Sequence, residues 1–100
     1  MGAIKDLYYM ENEISLSLYC RAISHPARVK ILNQLYDEPV GCRNIDLTKC
    51  LMMSRATVKN HVDMMKDAGI INIKYFTHYY QISLNQKGIR FAEMIRPVAN

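Results

Sequence analysis

The sequence is poor in the residues that punctuate or cross-link a chain. Its 100 residues include 4 Gly, 3 Pro and 3 Cys. Cys20, Cys42 and Cys50 are odd in number and form no C-x-x-C pair, which argues against a secreted disulfide scaffold and for buried free thiols. No mostly apolar, uncharged stretch approaches the ~20 residues needed to span a bilayer. The first residues hold no apolar core of signal-peptide length and reach Asp6 early, so a cytoplasmic protein without a membrane partner is expected. Internal repeats and low-complexity runs are absent. So are a Ser-His-Asp set, paired carboxylates, a phosphate loop and any zinc-spaced cluster, so neither an enzyme nor a bound cofactor or metal is expected.

What remains is the composition of one small globular domain spanning 1–100. The chain weighs 11.6 kDa, half of it is apolar, and 22% is charged. A folded chain of this size hides only about two-thirds of its unfolded surface, which favours a dimer. Thirteen Lys and Arg oppose nine Asp and Glu, for a net charge of +4. That balance leans weakly toward a polyanionic partner.

The hydrophobic periodicity divides the chain. Ile14, Leu18 and Ala22, widened by Tyr19 and Ile23, predict an amphipathic helix over Glu11 to Ile23. Ser24-His25-Pro26 breaks it and starts another, capped by Ser24 or His25 and running to Tyr36 with Val29, Leu32, Leu35 and Tyr36 inward. After a turn at 37–41, Asn44 is positioned to cap a short helix to Leu51, with Ile45, Leu47, Cys50 and Leu51 inward. Ser54 is a good N-cap for a longer helix to about Ala68, with Val58, His61 or Val62, and Met65 inward. Gly69 follows as a left-handed residue. Alternating residues predict strands at Ile70 to Phe76 and Tyr79 to Leu84, with Tyr80, Ile82 and Leu84 on one face and Thr77-His78 as the tight link. Asn85 caps a last helix, Gln86 to Arg96, with Ile89, Ala92, Met94 and Ile95 apolar, and Pro97 stops it.

Two helices joined by a short turn and followed by a hairpin make a winged helix-turn-helix: mainly α, five helices plus a two-stranded β wing. The helix-turn-helix would span 44–68 and the wing 70–84, with terminal helices at 11–24 and 86–96. The second helix of the pair reads base edges in the major groove, so its outward face must be polar and short. Here that face is Arg55, Ala56, Thr57, Lys59, Asn60 and Asp63. Charge follows the same division. Residues 43–74 hold six basic and three acidic side chains, and residues 1–20 hold one basic and three acidic.

Four ordered blocks over roughly residues 15–85 resemble the ArsR-type bacterial repressors. Arg21-Ala22-Ile23-Ser24-His25-Pro26-Ala27-Arg28-Val29-Lys30-Ile31-Leu32 is similar to that family's ALSDPTRLRIL. Residues 46–54 are similar to DLAEALGLS, and 54–71 to SQPTVSRHLKVLREAGLV. Tyr79 to Leu84 resembles the second wing strand. The resemblance implies a homodimeric repressor on a pseudo-palindromic double-stranded operator, with the first and last helices building the interface. The apolar stripes Ile14/Leu18/Tyr19 and Ile89/Ala92/Ile95 suit that role. Base and phosphate contacts would come from Ser54, Arg55, Ala56, Thr57, Lys59 and Asn60, with Lys74 and His78 flanking from the wing. The family's thiolate box ELCVCDL would place its two cysteines at Arg43 and Ile45, and its other metal site has only Glu93 left on the last helix, so no metal sensing is expected. Cys42 falls on the box's leucine and reads as packing. The effector stays open between a small molecule and a redox signal. Met52 stands where the family has the turn glycine, a costly residue if φ must be positive.

Other readings accompany these. A MarR- or PadR-like regulator shares the motif. A winged-helix protein-interaction module would show acidic or bulky apolar residues on the outward face of the reading helix, which Arg55, Thr57, Lys59 and Asn60 do not supply. His61 reads as an inward packing residue, and His25 as a cap. His78 is a phosphate or groove contact or a solvated side chain in equal measure. Met52, Met53, Met64 and Met65 read as core, and Cys20 and Cys50 as inert core thiols rather than a redox pair. The tyrosines at 8, 9, 19, 36, 75, 79 and 80 read as wing and interface packing. Stacking on single-stranded bases would need a platform, and only Tyr75, Tyr79 and Tyr80 are placed to build one.

Overall fold

The computed structural model of the protein describes residues 9–99. Among these, helix α1 covers Glu11–Ala22, α2 Pro26–Asp37, α3 Asn44–Leu51, α4 Arg55–Asp67 and α5 Gln86–Ala99. Strand β1 is Cys42–Arg43, β2 Ile71–Tyr75 and β3 Tyr80–Leu84. The three strands form one antiparallel sheet in the order β1-β3-β2. The reading of Tyr8 as a packing residue lies outside the described residues.

Local chemistry explains most boundaries. The Glu13 carboxylate accepts the Met10 N–H at 2.8 Å and closes the start of α1. His25, in extended conformation, caps α2 by accepting the Ala27 N–H on Nδ1 at 3.0 Å, and Pro26 takes the first helical position, where no donor is lost. The Ser54 hydroxyl accepts the Thr57 N–H at 3.2 Å at the head of α4. Gly69 ends α4 with φ +71°. Asn85 secures three groups. Its N–H donates to the Ile70 carbonyl at 3.1 Å, its amide donates to the Gly69 carbonyl at 2.8 Å, and its side-chain oxygen accepts the Gly88 N–H at 2.9 Å. Gly88 lies so close to Ile70 that a Cβ there would overlap the Ile70 carbonyl oxygen.

One hydrophobic core gathers Ile31, Leu32 and Leu35 of α2, Leu47 of α3, Val58, Val62 and Met65 of α4, Ile70 and Ile82 from the wing, and Ala22 and Ala92 from the terminal helices. The hairpin pairs Ile71 with Leu84, Ile73 with Ile82 and Tyr75 with Tyr80, so Ile82 lies buried at its centre. The Phe76 N–H donates to the Tyr79 carbonyl at 2.9 Å, leaving Thr77 and His78 as the tip. Neither tip residue has positive φ, so the turn is not one of the primed types usual in two-residue hairpins.

Several expectations are corrected. The wing is joined by a third strand. Cys42 pairs with Ile82 and Arg43 with Gln81, a two-residue ladder too short to leave a sequence period. Asn44 does not cap α3. Arg43 holds the cap position, its N–H donating to the Asp46 carboxylate at 3.3 Å, and Asn44 is buried with its side-chain oxygen accepting the Tyr80 N–H at 3.0 Å. Ile31, not Val29, is the fully buried partner of Leu32 and Leu35. Cys20 and Cys50 are exposed, and only Cys42 is a buried thiol. Met52 is 90% exposed rather than packed, because it sits on the outer corner of the turn between α3 and α4. On the last helix Ile89 and Met94 face solvent, whereas Ala92 is fully buried in the chain's own core and is not free for a partner. That helix also continues through Pro97 to Ala99. A proline removes one donor but does not by itself end a helix.

Met52 adopts φ 55° and ψ 47°, the left-handed conformation that costs a non-glycine residue roughly 1–2 kcal/mol. Its side chain packs on nothing that would be lost. Met52→Gly is therefore expected to raise stability by about 0.5–1 kcal/mol after the added unfolded-state entropy, or a few degrees in Tm by thermal unfolding. An unchanged or lower Tm would show that the turn carries no strain.

Candidate nucleic-acid interface

The face of α4 opposite its buried stripe carries the candidate DNA contacts. Val58, His61, Val62 and Met65 are buried at helical spacing. Arg55, Ala56, Thr57, Lys59 and Asn60 are all exposed, as is Ser54 at the cap. The helix therefore presents in its first two turns the residues that the sequence analysis placed there. Lys74 on β2 and His78 at the hairpin tip are exposed as well.

The side chains on this face differ in how far they are committed. The Thr57 hydroxyl shares a hydrogen bond with the Ser54 hydroxyl at 3.0 Å, which ties its polarity to the cap. The Lys59 ammonium donates to the Asp63 carboxylate one turn on, at 2.9 Å. That hydrogen bond, then the carboxylate's charge, holds the lysine above its ordinary pKa. The pair is solvent-exposed and so weak that a phosphate can compete for the lysine. Arg55 and Asn60 make no side-chain hydrogen bond among the described residues.

The rear of α4 is held by a polar joint that sequence reasoning did not find. Arg28, in the first turn of α2, approaches the His61 Nδ1 through Nη1 at 3.0 Å and donates through Nη2 to the Ser24 hydroxyl at 2.9 Å. Because a guanidinium only donates, His61 accepts on Nδ1 and is the neutral ring protonated on Nε2. The His25 ring lies 4.7 Å from the His61 ring, tilted by 49°. Spacing places His61 inward, but it carries no signal for a contact with a residue 33 positions away. A second unforeseen tie is the Asn44–Tyr80 bond, which fastens the wing to α3. Tyr80 is half-buried, and burial raises its phenol pKa, with Lys59 and Asp63 as its nearest charges.

The thiolate metal site implied by the family resemblance does not fit these residues. Arg43 stands at one ligand position, with its guanidinium on the Asp46 carboxylate at 3.0 and 3.1 Å, and Ile45 stands at the other. Glu93 accepts the Tyr36 hydroxyl at 3.1 Å. Among the described residues no three His, Cys, Asp or Glu side chains are grouped to hold an ion. None of the helices there is long and apolar enough to cross a membrane.

A helix with a polar outward face, a short helix before it and a sheet-borne wing after it define a winged helix-turn-helix of the kind found in DNA-binding transcription regulators. Residues 25–72 match the sequence model of the bacterial regulatory protein, arsR family. Solved structures share the fold. HlyU from Vibrio cholerae N16961 superposes with a TM-score of 0.75 at 17% identity, over 88% of this chain and 95% of that one. MepR of S. aureus in complex with DNA gives 0.70 at 19%, over 89% and 76%. A predicted DNA-binding transcriptional regulator from E. coli gives 0.66 at 26%, over 87% and 90%. A search of curated protein sequences returns no significant match.

The joint behind α4 makes stability depend on pH with a defined sign. Burial, then the charges of His25 and Arg28, hold the His61 pKa below its ordinary 6.5. The unfolded chain binds the proton more readily, so this contribution is complete above pH 6.5 and is lost as pH falls through the folded value. Thermal unfolding should show a falling Tm from pH 7 to pH 5. His61→Gln, which keeps an acceptor for Arg28 without a titrating ring, should flatten that slope. Identical slopes would remove His61 as its source.

Proposed function

We propose that this chain is a sequence-specific, double-stranded-DNA-binding transcription regulator, acting in the cytoplasm as a homodimeric ArsR-like repressor without a thiolate metal site. The whole of 1–100 serves as one DNA-binding domain. The observation that carries the reading is the division of α4. Its apolar stripe is sealed in the core while Arg55, Thr57 and Asn60 stand exposed at its N-terminal end, the part of a reading helix that reaches base edges.

Roles follow from donor and acceptor chemistry. Asn60 suits bidentate pairing with adenine, Arg55 suits guanine or a phosphate, and the Thr57 methyl suits a thymine methyl. Lys59, Lys74 and His78 suit phosphates, Ser54 and Ala56 the close approach of the helix end to the backbone. The family match and the likeness to a DNA-bound regulator support this reading. Dimerisation is supported by apolar surface on the terminal helices. Leu16 and Met94 are mostly exposed, Ile89 is partly so, and Ile14, Leu18, Tyr19 and Ile95 are half-buried. A two-fold would set two reading helices about 34 Å apart, matching a pseudo-palindrome.

The test is operator selection from random duplexes, followed by binding at several salt concentrations. Arg55→Ala and Asn60→Ala should each weaken the selected operator by about 1–3 kcal/mol and relax preference at one position per half-site. Lys59→Ala should weaken all sequences alike and reduce the salt slope by about one unit. If the Arg55→Ala/Asn60→Ala double variant binds the operator as tightly as the wild type, the reading helix is misassigned and a protein-interaction module becomes the better reading.

Association is tested separately. Sedimentation should give a dimer at tens of micromolar protein, where a Kd of 1 μM corresponds to about 8 kcal/mol. Leu16→Glu and Met94→Glu should shift it toward monomer while leaving the fold intact, because both side chains are already in solvent. A monomeric wild type would refute the dimer.

A further inference from the structure

One side chain on the polar face of α4 opposes the charge of its neighbours. Residues 43–74 carry six basic side chains and three acidic ones, Asp46, Asp63 and Asp67. Asp46 serves the start of α3, bound to Arg43. Asp67 ends α4 and makes no ion pair among the described residues. Asp63 stands within the polar face itself. A spacing of four residues puts Arg55, Lys59 and Asp63 in one row along the helix. The block SQPTVSRHLKVLREAGLV, to which residues 54–71 are similar, has serine where this chain has Lys59 and lysine where it has Asp63. Relative to that block the charge at one point of the row is reversed, and a cation stands one turn before it.

The geometry joins these two residues. The Lys59 ammonium donates to the Asp63 carboxylate at 2.9 Å, with the lysine side chain 64% and the aspartate side chain 47% exposed. Asp63 accepts no other hydrogen bond among the described residues. The pair lies beside the wing, where its two charges are the nearest to the half-buried Tyr80 phenol. Helix stability does not account for it. An exposed pair at this spacing is weak, and lysine before the acid is the poorer order along a helix. A carboxylate in that position matters more to a polyanion approaching the face than to the fold.

We propose that Asp63 is a built-in brake on duplex binding. It holds Lys59 in a contact that a DNA phosphate must displace, and it then faces that phosphate as an unpaired negative charge. This role rests on the assignment of α4 as the helix that enters the duplex, and adds to it a residue that opposes binding. Phosphate contacts supply the salt-dependent, sequence-independent share of duplex affinity. A lysine that leaves a carboxylate for a phosphate exchanges one anion for another. Asp63 must then recover a cation from solution, so the contact yields little net release of ions. Arg55 and Asn60 are not bonded to Asp63 among the described residues, so the brake acts on backbone contact and on every sequence alike.

The experiment is fluorescence anisotropy with the full chain at several salt concentrations. The probes are the selected operator duplex and a random duplex of equal length. Asp63→Asn should tighten both by about fivefold and steepen the salt slope by about one unit. The same substitution in a Lys59→Ala background should give a gain at least about twofold smaller, because the pair it releases is already gone. Asp63→Glu, which keeps a carboxylate within reach of Lys59, should stay within about twofold of the wild type. Asp67→Asn removes the same charge two turns from Lys59, beyond a Debye length of about 10 Å, and should also stay within about twofold. Circular dichroism checks that each variant folds. Unchanged or weaker binding by Asp63→Asn, an equal gain from Asp67→Asn, or an equal gain without Lys59 would overturn the proposal. If Arg55→Ala/Asn60→Ala loses the operator while Asp63→Asn changes nothing, the brake fails and the reading helix stands. If the wild type binds neither duplex, both fail.

Discussion

The burial of one stripe on α4 fixes the orientation of everything that faces outward from it. Val58, Val62 and Met65 are almost completely removed from solvent against Leu32, Leu35, Leu47 and Ile82. Each such side chain is worth roughly 1.5–3 kcal/mol when buried. Residues follow one another by about 100° around a helix, so turning α4 by a single position would expose most of these side chains and bury Lys59 or Asn60. The solvent-facing row is therefore a consequence of core packing, not of any property of Arg55, Thr57, Lys59 or Asn60 themselves. The Ser54 cap and the left-handed Gly69 then set where the row starts and stops.

Features with a period or a local rule were legible in the sequence. The caps at His25, Ser54 and Asn85 needed only residue type and the following few residues. The buried face of α4 and the two wing strands needed only spacing. What escaped depends on contacts between segments far apart in the chain. A two-residue strand has no period, and Cys42–Arg43 becomes β1 only because β3 offers Ile82 and Gln81 as partners. Asn44 looks like a cap because Asn commonly is one, yet a distant donor, the Tyr80 N–H, claims its oxygen. Cys20 and Cys50 fit apolar stripes by position but fall at their edges, where a small shift of helix rotation decides burial. Ala92 was right as an apolar position and wrong as a partner surface, because periodicity cannot tell a core from an interface.

The candidate site shows the same limit. Residue identities on the outward face of α4 came from spacing, but the commitments of those residues did not. That Lys59 is engaged with Asp63, that the Thr57 hydroxyl is turned to its cap, and that Arg28 braces the helix from behind through a neutral His61 are geometric facts. The bracing is polar where hydrophobic packing would serve, and it restricts His61 to one tautomer. The His25, Arg28 and His61 cluster contains no carboxylate partner. A proton added there would meet only positive charge, which couples the seat of α4 to acidity without involving its outward side.

The turn between α3 and α4 shows how a local cost is carried by its surroundings. Glycine would take the left-handed position without strain, yet Met52 occupies it. The turn is determined from both sides. The Met53 N–H bonds the Thr48 carbonyl at 3.1 Å, and the next residue, Ser54, caps α4. Leu47 and Leu51 before it, and Met53 after it, pack on the core and leave no slack to open the corner. Against several buried side chains and a cap, a backbone cost of roughly 1–2 kcal/mol at one exposed residue is the smaller quantity. The angle between α3 and α4, and with it the reach of Arg55 beyond the body of the fold, is set by those neighbours rather than by the residue at the corner.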